Sequence, residues 1–150
     1  MPKASISKLI ECKKDQLIDL VLDIEKYPEF VPFCLDSKVY ERYDRDNQIL
    51  IVADLTIGKG PFKDTYKSDV IFNKDKSIIN VTNIGGPLNH LENKWTFIES
   101  DNGTEILFDI DFEIENKFLN LVMTKSFQYG LNKIADAFQK RAHELYSYKH

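Results

Sequence analysis

The sequence lacks most of what catalysis and metal binding usually leave in a chain. It holds three histidines, His90, His143 and His150, and two cysteines, Cys12 and Cys34. No HExxH, HxH or close Cys/His pair occurs, which removes the common zinc patterns. Two cysteines so placed make no disulfide framework, and Cys34 beside Phe33 reads as a packing residue. The histidines read as surface or turn residues. Glycine is scarce, and its two clusters, Gly58-Lys59-Gly60-Pro61 and Gly85-Gly86-Pro87, match neither a P-loop nor a dinucleotide fingerprint. Both are expected to be turns or bulges between strands. No apolar run is long enough to span a bilayer, and the first residues have no apolar signal core. Positive charge is not in excess: the formal net charge is -4, so no global electrostatic case for nucleic acid exists. A reduced cytoplasmic setting is the expectation these absences leave.

What is present is a foldable and strongly patterned chain. Its 150 residues are 43% hydrophobic and 29% charged, as expected of one domain over 1–150 with a real core. The longest periodic stretch is the last, residues 116–148. Phe118, Leu121/Val122, Phe127, Leu131, Ile134/Ala135, Phe138, Ala142 and Leu145 recur at helical spacing, opposite a polar face that includes Lys133, Asp136, Lys140, Arg141 and Glu144. An amphipathic helix of that length needs a large apolar partner.

The rest of the chain supplies one. Residues 3–11 alternate as a strand, with Ala4, Ile6 and Lys8 on one side. Asp15 is expected to cap a helix over 14–25. Pro28 and Pro32 then bracket the aromatic run Tyr27 to Phe33, a short second helix or a tight loop. From 35 to 115 the period is two, over 35–43, 48–58, 61–72, 77–84, 88–100 and 104–115, with turns at 44–47, 73–76 and 101–103. In the last of these, Ile106, Phe108, Ile110, Phe112 and Ile114 face one way. Leu107, Asp109, Asp111, Glu113 and Glu115 face the other, as a solvated face rather than a carboxylate site. The order predicts an α+β fold: a seven-stranded curved antiparallel sheet around a long C-terminal helix, with two short helices after strand 1.

Ten Phe, seven Tyr and one Trp are concentrated on few faces. Phe62, Asp64, Tyr66, Ser68, Val70 and Phe72 share one; Leu91, Asn93, Trp95 and Phe97 share another. These faces mix aromatics with the polar Asp64, Ser68, Thr82 and Asn93. Such a mixture suits a cavity with a few orienting groups; satisfied core residues fit the periodicity equally well. Gly130, inside the last helix, costs about 1 kcal/mol there, and a kink or a close ligand approach would account for it.

Several stretches resemble one known family. They are Ile24 to Cys34 (IEKYPEFVPFC), Gly60 to Ser68 (GPFKDTYKS), Gly86 to Leu91 with Trp95-Thr96-Phe97, and Ala137 to Tyr146 (AFQKRAHELY). Together they resemble the coenzyme Q-binding protein / RatA family, of the polyketide cyclase/dehydrase type, within the START-like helix-grip superfamily. Two positions depart: Phe33 stands where the family commonly has tryptophan, and Leu88 where it commonly has phenylalanine. The resemblance implies a non-catalytic hydrophobic cavity for an isoprenoid quinone (ubiquinone), a precursor or another lipid, with no other cofactor and no metal. The implied role is support of respiratory electron transport or quinone biosynthesis. The expected lining is Phe30, Phe33, Phe62, Tyr66, Trp95, Phe97, Phe127 and Leu131, with the 27–33 segment at the mouth and in transient contact with the inner membrane surface.

The same resemblance implies an alternative, a toxin-like protein that binds the large ribosomal subunit and blocks subunit joining. The basic set for that surface is Lys3, Lys8, Lys13, Lys14, Lys133, Lys140, Arg141 and Lys149. A third alternative is a cyclase/aromatase, for which Asp64, Tyr66 and His90 are the available acid–base groups.

Overall fold

The computed structural model describes residues 3–59, 62–85, 88–114 and 117–146. The chain runs β1 (Lys3–Ile10), α1 (Lys14–Leu22), a 3-10 helix (Ile24–Glu29), β2 (Cys34–Asp44), β3 (Gln48–Lys59), β4 (Phe62–Asn73), β5 (Ile78–Gly85), β6 (Leu88–Ser100), β7 (Gly103–Ile114) and α2 (Lys117–Tyr146). The strands form a seven-stranded sheet in the order β1-β7-β6-β5-β4-β3-β2. Every pairing is antiparallel. This is the expected α+β architecture, a curved sheet with a long C-terminal helix. The expected turns around Gly60-Pro61 and Gly86-Pro87 lie outside the described residues.

β2 to β7 form a meander of neighbours in sequence, while β1 returns to pair with β7, Lys3 opposite Asp111. The register slips between Cys34 and Asp36, Val39 and Glu41, Lys67 and Ser68, and Leu88 and His90. Bulges of this kind bend and twist the strand that carries them, and they curl the sheet into a half-pipe with an apolar inner face. The hairpin between β6 and β7 depends on Gly103, whose φ is +142°; a Cβ there would lie 2.3 Å from the Ile10 carbonyl oxygen. Beside it the buried Thr104 hydroxyl donates to the Cys12 carbonyl at 2.9 Å and ties the β1–α1 corner to β7.

The first helical region departs from expectation in two ways. Lys13, not Asp15, is the N-cap, and its N–H donates to Gln16 Oε1 at 3.1 Å. This is one arm of a capping box; an ammonium has no acceptor for the other. The helix also stops at Leu22 instead of reaching 25. Asp23 leaves helical geometry (φ −83°, ψ 66°), and Ile24–Glu29 continues as the 3-10 helix, with Pro28 inside it. That short helix docks on the edge of the sheet. Ser37 Oγ donates to the Ile24 carbonyl, and the Val39 N–H donates to Glu25, so part of the exposed β2 edge is covered.

α2 lies against α1, β1 and β7. Leu131, Phe138 and Ala142 are buried in one large core with Leu17, Ile18, Leu20 and Val21 of α1 and Ile51, Val70, Ile79, Trp95, Phe97, Ile106 and Phe108 of the sheet. The expected apolar stripe is wider than what is buried. Leu121 and Leu145 are 54% and 51% exposed, one near each end of the helix, where the apolar period runs past its partner. Arg141, expected on the solvated face, is turned inward. The helix is continuous through Gly130.

Candidate functional site

The inner face of the sheet meets the underside of α2 and the apolar face of α1, and most of the expected lining is there. Trp95 is central. Its ring stacks on Phe97 at 6.5 Å and meets Phe108 and Phe138 edge-on at 4.6 and 5.2 Å. Phe138 is also edge-on to Phe30 and Tyr27, at 5.1 and 5.6 Å. Edge-to-face rings bring the positive rim of one onto the negative face of the next, so this end is a closed aromatic knot. The Tyr27 hydroxyl donates to the Val21 carbonyl, and burial pushes its pKa strongly upward, so it stays neutral. A cavity of 20 Å³ remains beside the knot, lined among others by Trp95, Leu131, Ile134 and Phe138. That is room for about one water.

Arg141 fastens the aromatic run to α2. Its guanidinium donates to Glu29 at 2.6 Å and lies over the Phe30 ring at 5.1 Å. That hydrogen bond holds the Glu29 carboxyl below its usual range. Across the helix, Lys8 of β1 donates to Asp136 at 2.8 Å. Helical spacing alone places Arg141 and Asp136 with solvent. Both contacts join residues more than a hundred positions apart in the chain, so no local pattern announces them.

Phe33 closes the run in an unusual conformation, with φ +68°. Its carbonyl accepts the Gly58 N–H at 2.9 Å. A non-glycine residue in this region is uncommon. Its ring carbon stands 3.8 Å from where a Gly130 Cβ would be, beside Leu131. Leu35, two residues on, and Tyr129, next to Gly130, are exposed apolar side chains, at 51% and 64%.

The other end of the inner face is built differently. Leu91 and Phe112 form a separate small cluster joined by Tyr66, Val81 and Ile110. Burial pushes the Tyr66 hydroxyl pKa far up, so it is a neutral donor. Ser68, two residues along on the same face, stands between Ala53 and Asn83 in the register. It is 2% exposed, and its hydroxyl has no hydrogen-bond partner among the described residues. A bulge immediately precedes it. Asn93, also inward, is satisfied: its amide donates to the Asp109 carbonyl and its oxygen accepts the Trp95 indole N–H. Thr82, expected inward, is exposed on the outer face, because Val81 takes the inward position of β5.

Of the expected lining residues, Phe30, Trp95, Phe97 and Leu131 are thus grouped at the knot, Phe33 stands beside Gly130, and Tyr66 lies at the other end. The side chains of Phe62 and Phe127 lie outside the described residues, as does that of Asp64. Cys34 is buried; desolvation pushes its thiol up to about 11, which makes it a poor nucleophile. Of the three acid–base groups of the cyclase expectation, Tyr66 faces inward and His90 faces the outer surface beside Asp111, so these two do not meet.

A family model described as polyketide cyclase / dehydrase and lipid transport matches residues 10–139. The chain is 31% identical over 142 residues to the ribosome association toxin RatA of Rickettsia prowazekii (strain Madrid E), covering 93% of this chain and 94% of that one. It is 30% identical over 144 residues to the mitochondrial coenzyme Q-binding protein COQ10 of Dictyostelium discoideum, covering 94% and 69%. Among solved structures, the 18 kDa protein CC1736 of Caulobacter crescentus matches with a TM-score of 0.80 at 25% identity, covering 97% of this chain and 98% of that one. A START superfamily protein from Mycobacterium smegmatis matches with a TM-score of 0.78 at 18% identity, covering 95% and 98%.

Proposed function

The chain belongs to the polyketide cyclase / dehydrase and lipid transport family, and we propose that it binds a hydrophobic lipid-like molecule without transforming it. The ligand is an isoprenoid quinone such as ubiquinone, or a quinone precursor. The observation that carries this reading is Ser68. A fully buried hydroxyl without a partner costs about 1–3 kcal/mol, and this one, unpartnered among the described residues, lies two residues from the neutral Tyr66 hydroxyl on the same face. Two such donors suit the carbonyl oxygens of a quinone ring, and the aromatic face suits its isoprenoid tail. The similarity to a coenzyme Q-binding protein supports the same ligand class.

The 20 Å³ cavity is too small for a quinone. In this reading, loading proceeds by movement of α2 and the Tyr27–Phe33 run away from the sheet. The exposed Leu35 and Tyr129 beside Phe33 would meet the membrane surface as that happens, a peripheral contact; no described helix is long and apolar enough to cross a membrane. The biological setting is supply of quinone to respiratory electron transport or to its biosynthesis. Mass spectrometry of an organic extract of the native purified protein tests the reading. A co-purifying quinone is the expected result. Protein that extracts clean and ignores added ubiquinone would overturn it.

The similarity to a ribosome association toxin favours a second reading, association with the large ribosomal subunit. Charge weakens it. Of the expected basic set, Lys3, Lys8 and Arg141 are paired with Asp111, Asp136 and Glu29, Lys133 lies over the Tyr129 ring, and Lys149 is outside the described residues. Co-sedimentation with large subunits at graded salt decides: a salt-sensitive association supports it, and none refutes it.

A further inference from the structure

The outer face of the sheet carries a cluster that a ligand on the inner face would not touch. In the β6–β7 register Glu92 stands opposite Asp111, and His90 lies two residues before Glu92 on the same face. The register slips between Leu88 and His90, and such a bulge re-aims the side chain beside it. One imidazole nitrogen and one oxygen from each carboxylate come within 4.8 Å of one another. His90 Nε2 is 3.4 Å from Asp111 Oδ2. His90 Nε2 and Asp111 Oδ1 are both shielded from water, yet neither has a hydrogen-bond partner among the described residues. Two unpaired polar atoms in one spot are a standing cost to the fold, which a cation between them would remove.

We infer that His90, Glu92 and Asp111 bind a divalent first-row transition cation of the zinc or cobalt type. One imidazole and two carboxylates are a mixed nitrogen–oxygen set, whereas magnesium and calcium take oxygen alone. Three protein ligands leave a position for water. Ligand atoms around tetrahedral zinc are about 3.3 Å apart, given bonds of about 2.0–2.1 Å. A rotamer change of the exposed Glu92 is available to close the triad. Glu113, opposite His90 in the register, and Asp109, further along β7, add negative potential. An open groove of 850 Å³, lined by Glu92 and Asp111 among others, gives solvent access. Among the described residues, Lys3 competes at the triad: its Nζ is 3.8 Å from Asp111 Oδ2, but its side chain is 72% exposed and free to swing away. The sheet separates this cluster from the inner face, so the inference stands or falls apart from quinone binding.

The test is titration of tag-free, metal-stripped protein with Zn²⁺ by calorimetry and with Co²⁺ by visible absorption. One equivalent should bind, with magnesium and calcium failing to compete. His90→Gln and Asp111→Asn should each weaken binding by at least about tenfold. Lys3→Met should tighten it, an effect that damage to the fold would not produce. Circular dichroism of the metal-free variants checks that each is folded. Absence of saturable uptake overturns the inference, as does an affinity that both ligand substitutions leave unchanged, which would place the metal elsewhere, for example at Cys12 or His143.

Discussion

The two ends of the inner face are made from the same residue types and put to different uses. At one end Tyr27, Phe30, Trp95, Phe108 and Phe138 lock edge to face under α2, with Arg141 and Lys8 pinning the helix from either side. At the other, Leu91 and Phe112 form a small cluster of their own, with Tyr66 against it, and Ser68 further along the same face keeps an unanswered hydroxyl. The first end spends its aromatics on holding the fold. The second keeps a buried hydroxyl, Ser68, without a partner among the described residues. An inward aromatic is therefore not evidence of a ligand site by itself.

Substitutions at the two ends should respond differently. The largest effect is expected for Phe138→Ala, which empties the centre of the knot and should cost about 3–5 kcal/mol in urea unfolding. Phe112→Ala should cost less, since its cluster is small; equal losses would erase the contrast. Ser68→Ala should do the reverse of a core deletion. It removes the unpaired hydroxyl, so the ligand-free protein should gain about 1 kcal/mol, while retention of quinone in the extract falls. A loss of stability with unchanged quinone would assign Ser68 to the fold. Gly130→Ala should raise stability by up to about 1 kcal/mol, because the Phe33 ring, 3.8 Å from the new methyl, is at ordinary contact distance. The smallest effect belongs to Glu29. Its folded pKa is depressed by Arg141, so its contribution is present above the ordinary glutamate range and fades as pH falls below about 4. Unfolding midpoints of wild type and Glu29→Gln should therefore converge in acid and separate, slightly, at neutral pH.

Much of this was legible in the sequence, and the illegible part has a common cause. Period-two alternation places Ile106, Phe108, Ile110 and Phe112 on the inner face, and even puts Lys8 on the inner side of β1. Helical spacing finds Leu131, Phe138 and Ala142. Neither says where an element's partner ends, so Leu121 and Leu145 extend the apolar stripe past the burial. Neither reveals Arg141 with Glu29, nor His90 with Asp111, because each pair depends on tertiary placement or on a cross-strand register that no local spacing encodes. The α1 cap was obscured because Asp15 has a cap-forming side chain, whereas the N-cap Lys13 is held only through its own N–H. Thr82 lay one position away from the inward row of β5.

The pairing of β1 with β7 also has a consequence for synthesis. β1 finds its partner, Lys3 opposite Asp111 and Ile10 opposite Thr104, only after β2 to β6 have been translated. Until then its edge and the apolar side of Ala4, Ile6 and Ile10 wait without cover, along with the Ile10 carbonyl against which Gly103 must close. Contacts of such long sequence separation form slowly. A nascent chain halted before residue 103 should therefore remain sensitive to protease along Lys3–Ile10, and release of β7 should be the event that protects them.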